Sequence, residues 1–138
     1  MDRSATLEWL GAQRLGVIAT IKSDGRPQLS NVSYALMGDE VRVSVTADRA
    51  KTKNLRRDPR VSMHVTTPQF HPYVVVEGVA QLSEVTTHTD DQASDMLVEV
   101  YRAIAGDHPD WDDFRQAMVD ERRMVLSFVV DRMYGTGP

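Results

Sequence analysis

No cysteine occurs anywhere in the 138 residues. That removes disulfides, thiolate catalysis, iron–sulfur ligation and cysteine–zinc sites, and makes a cytoplasmic setting the expectation. Long apolar runs are missing too. None approaches the roughly 20 residues that a membrane-spanning helix needs, and no apolar stretch stands behind Met1 to Thr6, so a soluble protein is expected. Nor is there an excess of positive charge: 20 acidic residues against 16 basic ones leave a formal net charge of -4, which disfavours a general nucleic-acid binder. Glycine motifs that cradle phosphates are absent. Without a G-x-G-x-x-G after a strand or a G-x-x-x-x-G-K-[ST], neither a Rossmann site nor a nucleoside-triphosphate loop is supported.

The usual catalytic constellations are equally thin. His64, His71, His88 and His108 lie in separate segments without the i, i+4 spacing of a helical metal pair, so no metal site is expected. Ser30 and Ser33 lie outside any G-x-S-x-G elbow. Asp90-Asp91 and Asp112-Asp113 each stand at the head of a helical pattern, where acidic side chains favour the helix dipole, and capping explains them better than acid–base chemistry. No catalytic acid, base or nucleophile stands out. Such a chain suits a protein whose cofactor carries the chemistry while the polypeptide holds and orients it.

What the chain does contain is a single domain's worth of alternating strands, covering residues 1–138, large enough to bury roughly two-thirds of its unfolded surface. Ser4 as N-cap, Leu7 and Leu10 on one face and Gly11 as stop suggest a short opening helix. Leu15 to Lys22 alternates with period two, Asp24-Gly25 turns the chain, and Gln28 to Leu36 reads as a second strand carrying Ser30, Asn31 and Ser33. After Gly38-Asp39, Val41, Val43 and Val45 face one side of a third strand. Val61, Met63 and Val65 mark a fourth. Tyr73 to Ser83 is a longer fifth, interrupted by Gly78, which hints at a bulge or a close backbone approach. Thr89 with Gln92 forms a plausible capping box for a helix with an apolar stripe from Ala93 to Ile104, stopped by Gly106. A shorter helix from about Trp111 to Val119 and a last strand from Met124 to Val130 complete the pattern. About six strands joined mostly by hairpins, with helices at the edges, argue for a mainly β, antiparallel barrel.

Against this background the segment Arg49-Ala50-Lys51-Thr52-Lys53-Asn54-Leu55-Arg56-Arg57-Asp58-Pro59-Arg60 is conspicuous, with six basic side chains around the start of a short helix. A helix N-terminus offers unpaired amides and about half a unit of positive charge, so a phosphate placed there gains hydrogen bonds and a favourable dipole together. Arg49, Lys51 and Thr52 supply the side-chain part. The competing reading is a solvated basic helix with no ligand. His71 and Tyr73, on a loop bracketed by Pro68 and Pro72, could cover a flat ring.

Three stretches occur in one order: Thr20-Ile21-Lys22-Ser23-Asp24-Gly25-Arg26-Pro27-Gln28-Leu29-Ser30-Asn31-Val32, then Lys51, Asn54-Leu55 and Asp58-Pro59-Arg60-Val61-Ser62, then Glu77-Gly78-Val79-Ala80. Over nearly the whole chain this order resembles the pyridoxamine 5'-phosphate oxidase-like split β-barrel flavoproteins. Ala50 to Pro59 and Gly106 to Asp113 are similar to the actinobacterial branch that binds the deazaflavin coenzyme F420. The resemblance implies a split, FMN-binding-like barrel and a homodimer with one cofactor at each end of the subunit interface. It implies a phosphate clamp at Arg49, Ala50, Lys51 and Thr52, with Asn54 bracing the helix start or the ribityl chain. Pro27, Gln28, Ser44, Val45 and Thr46 would form the wall against the ring, and His71 and Tyr73 would come from the partner subunit. His71 replaces a larger aromatic there. The implied activity is hydride transfer from reduced F420 to a small conjugated substrate; an FMN-dependent oxidase or reductase and a non-catalytic deazaflavin carrier are the alternatives.

Overall fold

The computed structural model describes all 138 residues. The chain opens with helix α1 (Arg3–Ala12), followed by β1 (Leu15–Ile21), β2 (Pro27–Ser33), β3 (Ala35–Met37) and β4 (Glu40–Thr46). Helix α2 (Ala50–Arg57) leads into β5 (Arg60–Thr66), β6 (Tyr73–Val79) and β7 (Gln81–Leu82). Helices α3 (Gln92–Ala105) and α4 (Trp111–Asp120) precede β8 (Arg123–Val129) and β9 (Arg132–Gly135). Two antiparallel sheets result, ordered β2-β1-β5-β6-β9 and β3-β4-β8-β7, and they face each other as a split barrel that does not close into one ladder.

Nine strands appear where about six were expected because two long strands each divide between the sheets and a short ninth, β9, is added at the end. The first breaks at Tyr34, which is 1% exposed and donates its hydroxyl to the Leu10 carbonyl at 2.6 Å, pinning α1 over the corner. Burial pushes this phenol well above its ordinary value. The second break falls at Ala80. Just before it, a Cβ on Gly78 would lie 2.4 Å from the Val129 carbonyl oxygen, so glycine is required where β6 passes close to β8. The close approach expected from the sequence is therefore present. β9 has no counterpart in the expected pattern; it is four residues long and pairs with β6 from Val74↔Gly135 to Glu77↔Arg132.

Alternation fills the space between the sheets. Val41, Val43 and Val45 of β4, Val61, Met63 and Val65 of β5, Val74 and Val76 of β6 and Met124, Leu126 and Phe128 of β8 are all buried in one core. Each such side chain contributes about 1.5–3 kcal/mol by leaving water. A second, smaller core forms on the outside of the second sheet, where Val125 and Ala35 meet Leu97, Val98 and Val100 of α3 and Phe114 of α4. β8 thus lies between two cores, which is why Met124-Val125-Leu126 reads as an unbroken apolar run.

Helix ends differ from the sequence expectation in two places. Asp2, not Ser4, caps α1 by accepting from the Ala5 amide, and the helix runs through Gly11 to Ala12. The α3 cap is Asp91, which accepts from the Ser94 amide at 2.8 Å; Thr89 instead uses its carbonyl to accept from the Ser94 hydroxyl. An acidic side chain directly before the first turn, a stronger acceptor than a hydroxyl, takes the place of the capping box. Gly106, at φ 80°, stops α3 as expected.

Candidate functional site

β4 carries two chemistries on one strand. Its valines point into the barrel, so period two directs Ser44 and Thr46 to the opposite face. β8 runs antiparallel beside it with Ser44 opposite Val125 and Thr46 opposite Arg123, which brings the Arg123 guanidinium over the same face. Its Nη1 donates to Ser44 Oγ at 3.3 Å, and its Nη2 pairs with Glu121 at 3.0 Å.

Beyond Thr46 the chain turns into α2. The N-cap is Arg49, whose extended backbone and lack of a side-chain cap leave the first-turn amides of the helix without a local acceptor. Thr52 donates its hydroxyl to the Thr46 carbonyl at 2.9 Å and is fully buried, which locks the helix start onto the end of β4. Its hydroxyl is therefore committed within the fold, and only its amide faces the helix mouth. Asn54 is buried as well. Its amide nitrogen donates to Thr20 Oγ1 at 3.1 Å and its oxygen accepts from Arg57, so it braces α2 against β1.

Lys51 is half-buried. Burial first, then the neighbouring charges of Arg49 and Arg123, hold its amine below the ordinary lysine value. Neither Arg49 nor Lys51 has a carboxylate partner. Thr46 Oγ1 is buried and without a hydrogen-bond partner. Crowded cations, uncapped amides and an orphaned hydroxyl within one small region are each relieved by an anion.

These groups stand at one end of a cavity of about 740 Å³, a volume suited to an organic cofactor or substrate. Its floor is the outward face of β4 with Ser30, Asn31 and Ser33 of β2; its far wall is α3 and α4, through Val100, Tyr101, Ile104, Phe114 and Met118. No aspartate or glutamate lines it. The helical insert between His88 and Asp120 therefore shapes the cavity.

Of the residues singled out in the sequence, Ser44, Val45, Thr46, Arg49 and Lys51 line this cavity, Val45 with its side chain turned into the core. Ala50 is exposed in the first turn of α2. Pro27 and Gln28 lie elsewhere. They open β2 opposite Ile21 and Thr20, and Pro27 borders a separate depression of about 310 Å³ with Arg60 and Glu77. His71 and Tyr73 are also outside the cavity of their own chain; the Tyr73 ring rests against His64, with centroids 5.6 Å apart. Arg123 was not anticipated. The adjacent Arg122-Arg123 pair was its only signal, and strand register alone reveals that it faces Thr46.

Residues 3–137 match the family model described as pyridoxamine 5'-phosphate oxidase. The chain belongs to this family. Among solved structures it is similar to a conserved hypothetical protein from Mycobacterium tuberculosis, at 26% identity and TM-score 0.78, covering 99% of this chain and 85% of that one. It also shares its fold with an F420 reductase, at 21% identity and TM-score 0.70, covering 92% and 94% of the two chains. A heme storage protein from Vibrio cholerae has the same fold at 14% identity and TM-score 0.70, covering 93% and 89%. The fold is thus shared by proteins described by different ligands, so the ligand has to be argued from the cavity.

Proposed function

We propose that this protein is an F420-dependent oxidoreductase that binds the cofactor's phosphate-bearing end at Arg49, Lys51, Arg123 and the first-turn amides of α2. The observation that carries this reading is the gathering of three cations, with no acidic lining residue, around an uncapped helix start and the unpartnered Thr46 hydroxyl. The donor set fits a phosphate. Amides and guanidinium groups give directional hydrogen bonds, and Lys51 adds a point charge. The likeness to an F420 reductase and the Ala50 to Pro59 run favour the deazaflavin over other phosphate-bearing cofactors.

When bound, a deazaflavin supplies a hydride for a conjugated carbonyl, imine or enone. The chain itself anchors the anionic end, offers the polar face of β4 and β2 as a floor and uses α3 and α4 to keep water from one side. Orientation of this kind can remove about 7 kcal/mol or more of a barrier in ideal cases, so the absence of a dedicated acid or base is no obstacle.

The reading includes a homodimer in a cytoplasmic setting. The outward face of the first sheet exposes Leu15 at 69%, Leu29 at 63% and Tyr134 at 53%, an apolar surface that a second copy would cover. Asn31, Val32 and Ser33 border both the large cavity and a depression of about 550 Å³ on that face. His71 and Tyr73 of one copy could thus reach the other copy's cavity across β2.

Competitive titration with F420 and FMN tests the reading. F420 is expected to bind more tightly, and Lys51→Ala to weaken it by about 1.5–3 kcal/mol, the range for a charged hydrogen bond. Unchanged affinity in that variant overturns the clamp. Tighter uptake of FMN would instead make the protein an FMN-dependent oxidase or reductase, and F420 binding without turnover of any acceptor would make it a carrier.

A further inference from the structure

The large cavity is chemically divided. Arg49, Lys51 and Arg123 are its only charged lining residues, and all three belong to the end formed by β4, α2 and β8. The α3 and α4 end is apolar, formed by Val100, Tyr101, Ile104, Phe114 and Met118.

The apolar wall is held open by what lies behind it. The Tyr101 and Phe114 rings have centroids 5.0 Å apart, and Trp111 meets each of them edge-on at 5.8 and 5.5 Å. The Arg102 guanidinium sits 5.0 Å from the centre of the Trp111 ring, and Arg14 donates to the carbonyls of Ala103 and Ile104, tying the end of α3 to the barrel. Edge-to-face packing fixes ring positions, so this wall is preorganised and resists collapse into the cavity. Phe114, Leu97 and Val100 are committed to the second core, whereas Ile104 and Met118 are only partly buried. The latter two can change without hollowing out that core.

We propose that the α3 and α4 half is a substrate-selecting subsite for an uncharged, apolar, ring-containing acceptor, with Ile104 and Met118 setting the size accepted. This assignment rests on the basic half being the cofactor-phosphate site. An apolar body gains by leaving water against this wall. A cationic body would meet three like charges, of which only Arg123 has a carboxylate partner, Glu121, and that excess of positive charge selects against it.

The test uses the full chain and two ligands titrated separately: the neutral fluorophore N-phenyl-1-naphthylamine and F420. Ile104→Trp and Met118→Trp, which fill the apolar half, should weaken the fluorophore about tenfold or more while leaving F420 within about twofold. Lys51→Ala should do the reverse. A naphthalene carrying a quaternary ammonium should bind the wild type about tenfold more weakly than the neutral fluorophore. Fluorophore affinity unchanged in both tryptophan variants overturns the proposal, as does equal uptake of the cationic naphthalene. Parallel loss of F420 in both variants also overturns it, because the cofactor's own ring would then occupy this half. Uptake of the fluorophore but not of F420 by the wild type overturns the cofactor reading alone and leaves the subsite standing. Should a tryptophan variant fail to melt cooperatively, Ile104→Ser and Met118→Ser probe the same wall, and undiminished fluorophore affinity in both refutes the subsite.

Discussion

Lys51 is destabilised where it stands, since burial and two guanidinium groups both oppose its charge. An anion reverses that balance. Binding therefore favours the protonated amine, so affinity for F420 or inorganic phosphate should be full below the free protein's lowered Lys51 value and fall as pH rises through it. Lys51→Arg, whose guanidinium does not titrate, should flatten that decline; a titration series from neutral to alkaline pH reads it directly, and an identical slope in both proteins refutes the assignment. Lys51→Met should raise the unfolding temperature of the ligand-free protein while abolishing the gain that phosphate gives the wild type, the usual exchange between a functional charge and stability. At this scale the sequence was partly legible. Arg49 and Lys51 were readable because they flank a recognisable helix start. The commitment of the Thr52 hydroxyl to Thr46 was hidden, because a threonine in a first turn looks the same whether it faces a ligand or its own strand. Arg123 was hidden for a different reason: its place depends on a pairing between strands 77 positions apart in register, Thr46 with Arg123.

Asp91 shows how an element end can carry a pH dependence. Burial alone would raise its carboxyl, but the amides of Thr87, Ser94 and His88 and the Thr86 hydroxyl outweigh it and bring the value down to about 2 from 3.8. The folded protein thus holds this proton less tightly than the unfolded chain. The stability involved is present above 3.8 and lost as pH falls toward about 2. Asp91→Asn keeps an acceptor but loses the charge, so the difference in melting temperature between it and the wild type should shrink as the solution is acidified across that window. Asp91→Ala should cost about 1–2 kcal/mol at neutral pH by denaturant titration, the upper range for a lost cap. At the first corner, Tyr34→Phe should cost about 0.5–1.5 kcal/mol, because the Leu10 carbonyl loses the phenol hydrogen bond but keeps the one from the Gln13 amide. Strand existence was legible from period two in β1, β4 and β5. The corners were not, since a strand that changes sheets keeps its alternation through Tyr34 and Ala80. β9 escaped because four residues ending in glycine give too little pattern to count.

For the whole molecule, the exposed apolar face of the first sheet leads to an expectation about assembly. Sedimentation should give a dimer, and Leu15→Glu with Leu29→Glu should shift it toward monomer while the melting transition stays cooperative, because both side chains are outside the core. A wild-type monomer at micromolar concentration refutes this. The family and its barrel were legible from motifs in order along the chain; the chemical division of the cavity was not, because the helical insert reads as an ordinary amphipathic pair until its inner face is seen against β4. That division has a consequence for how such a protein can diversify. The helices wall the cavity from outside the barrel and rest on a second core, whereas the basic end is built from β4, β8 and the start of α2 beside the main core. Drift along α3 and α4 can therefore retune the shape of the cavity while its basic end and the foldability of the scaffold are inherited intact.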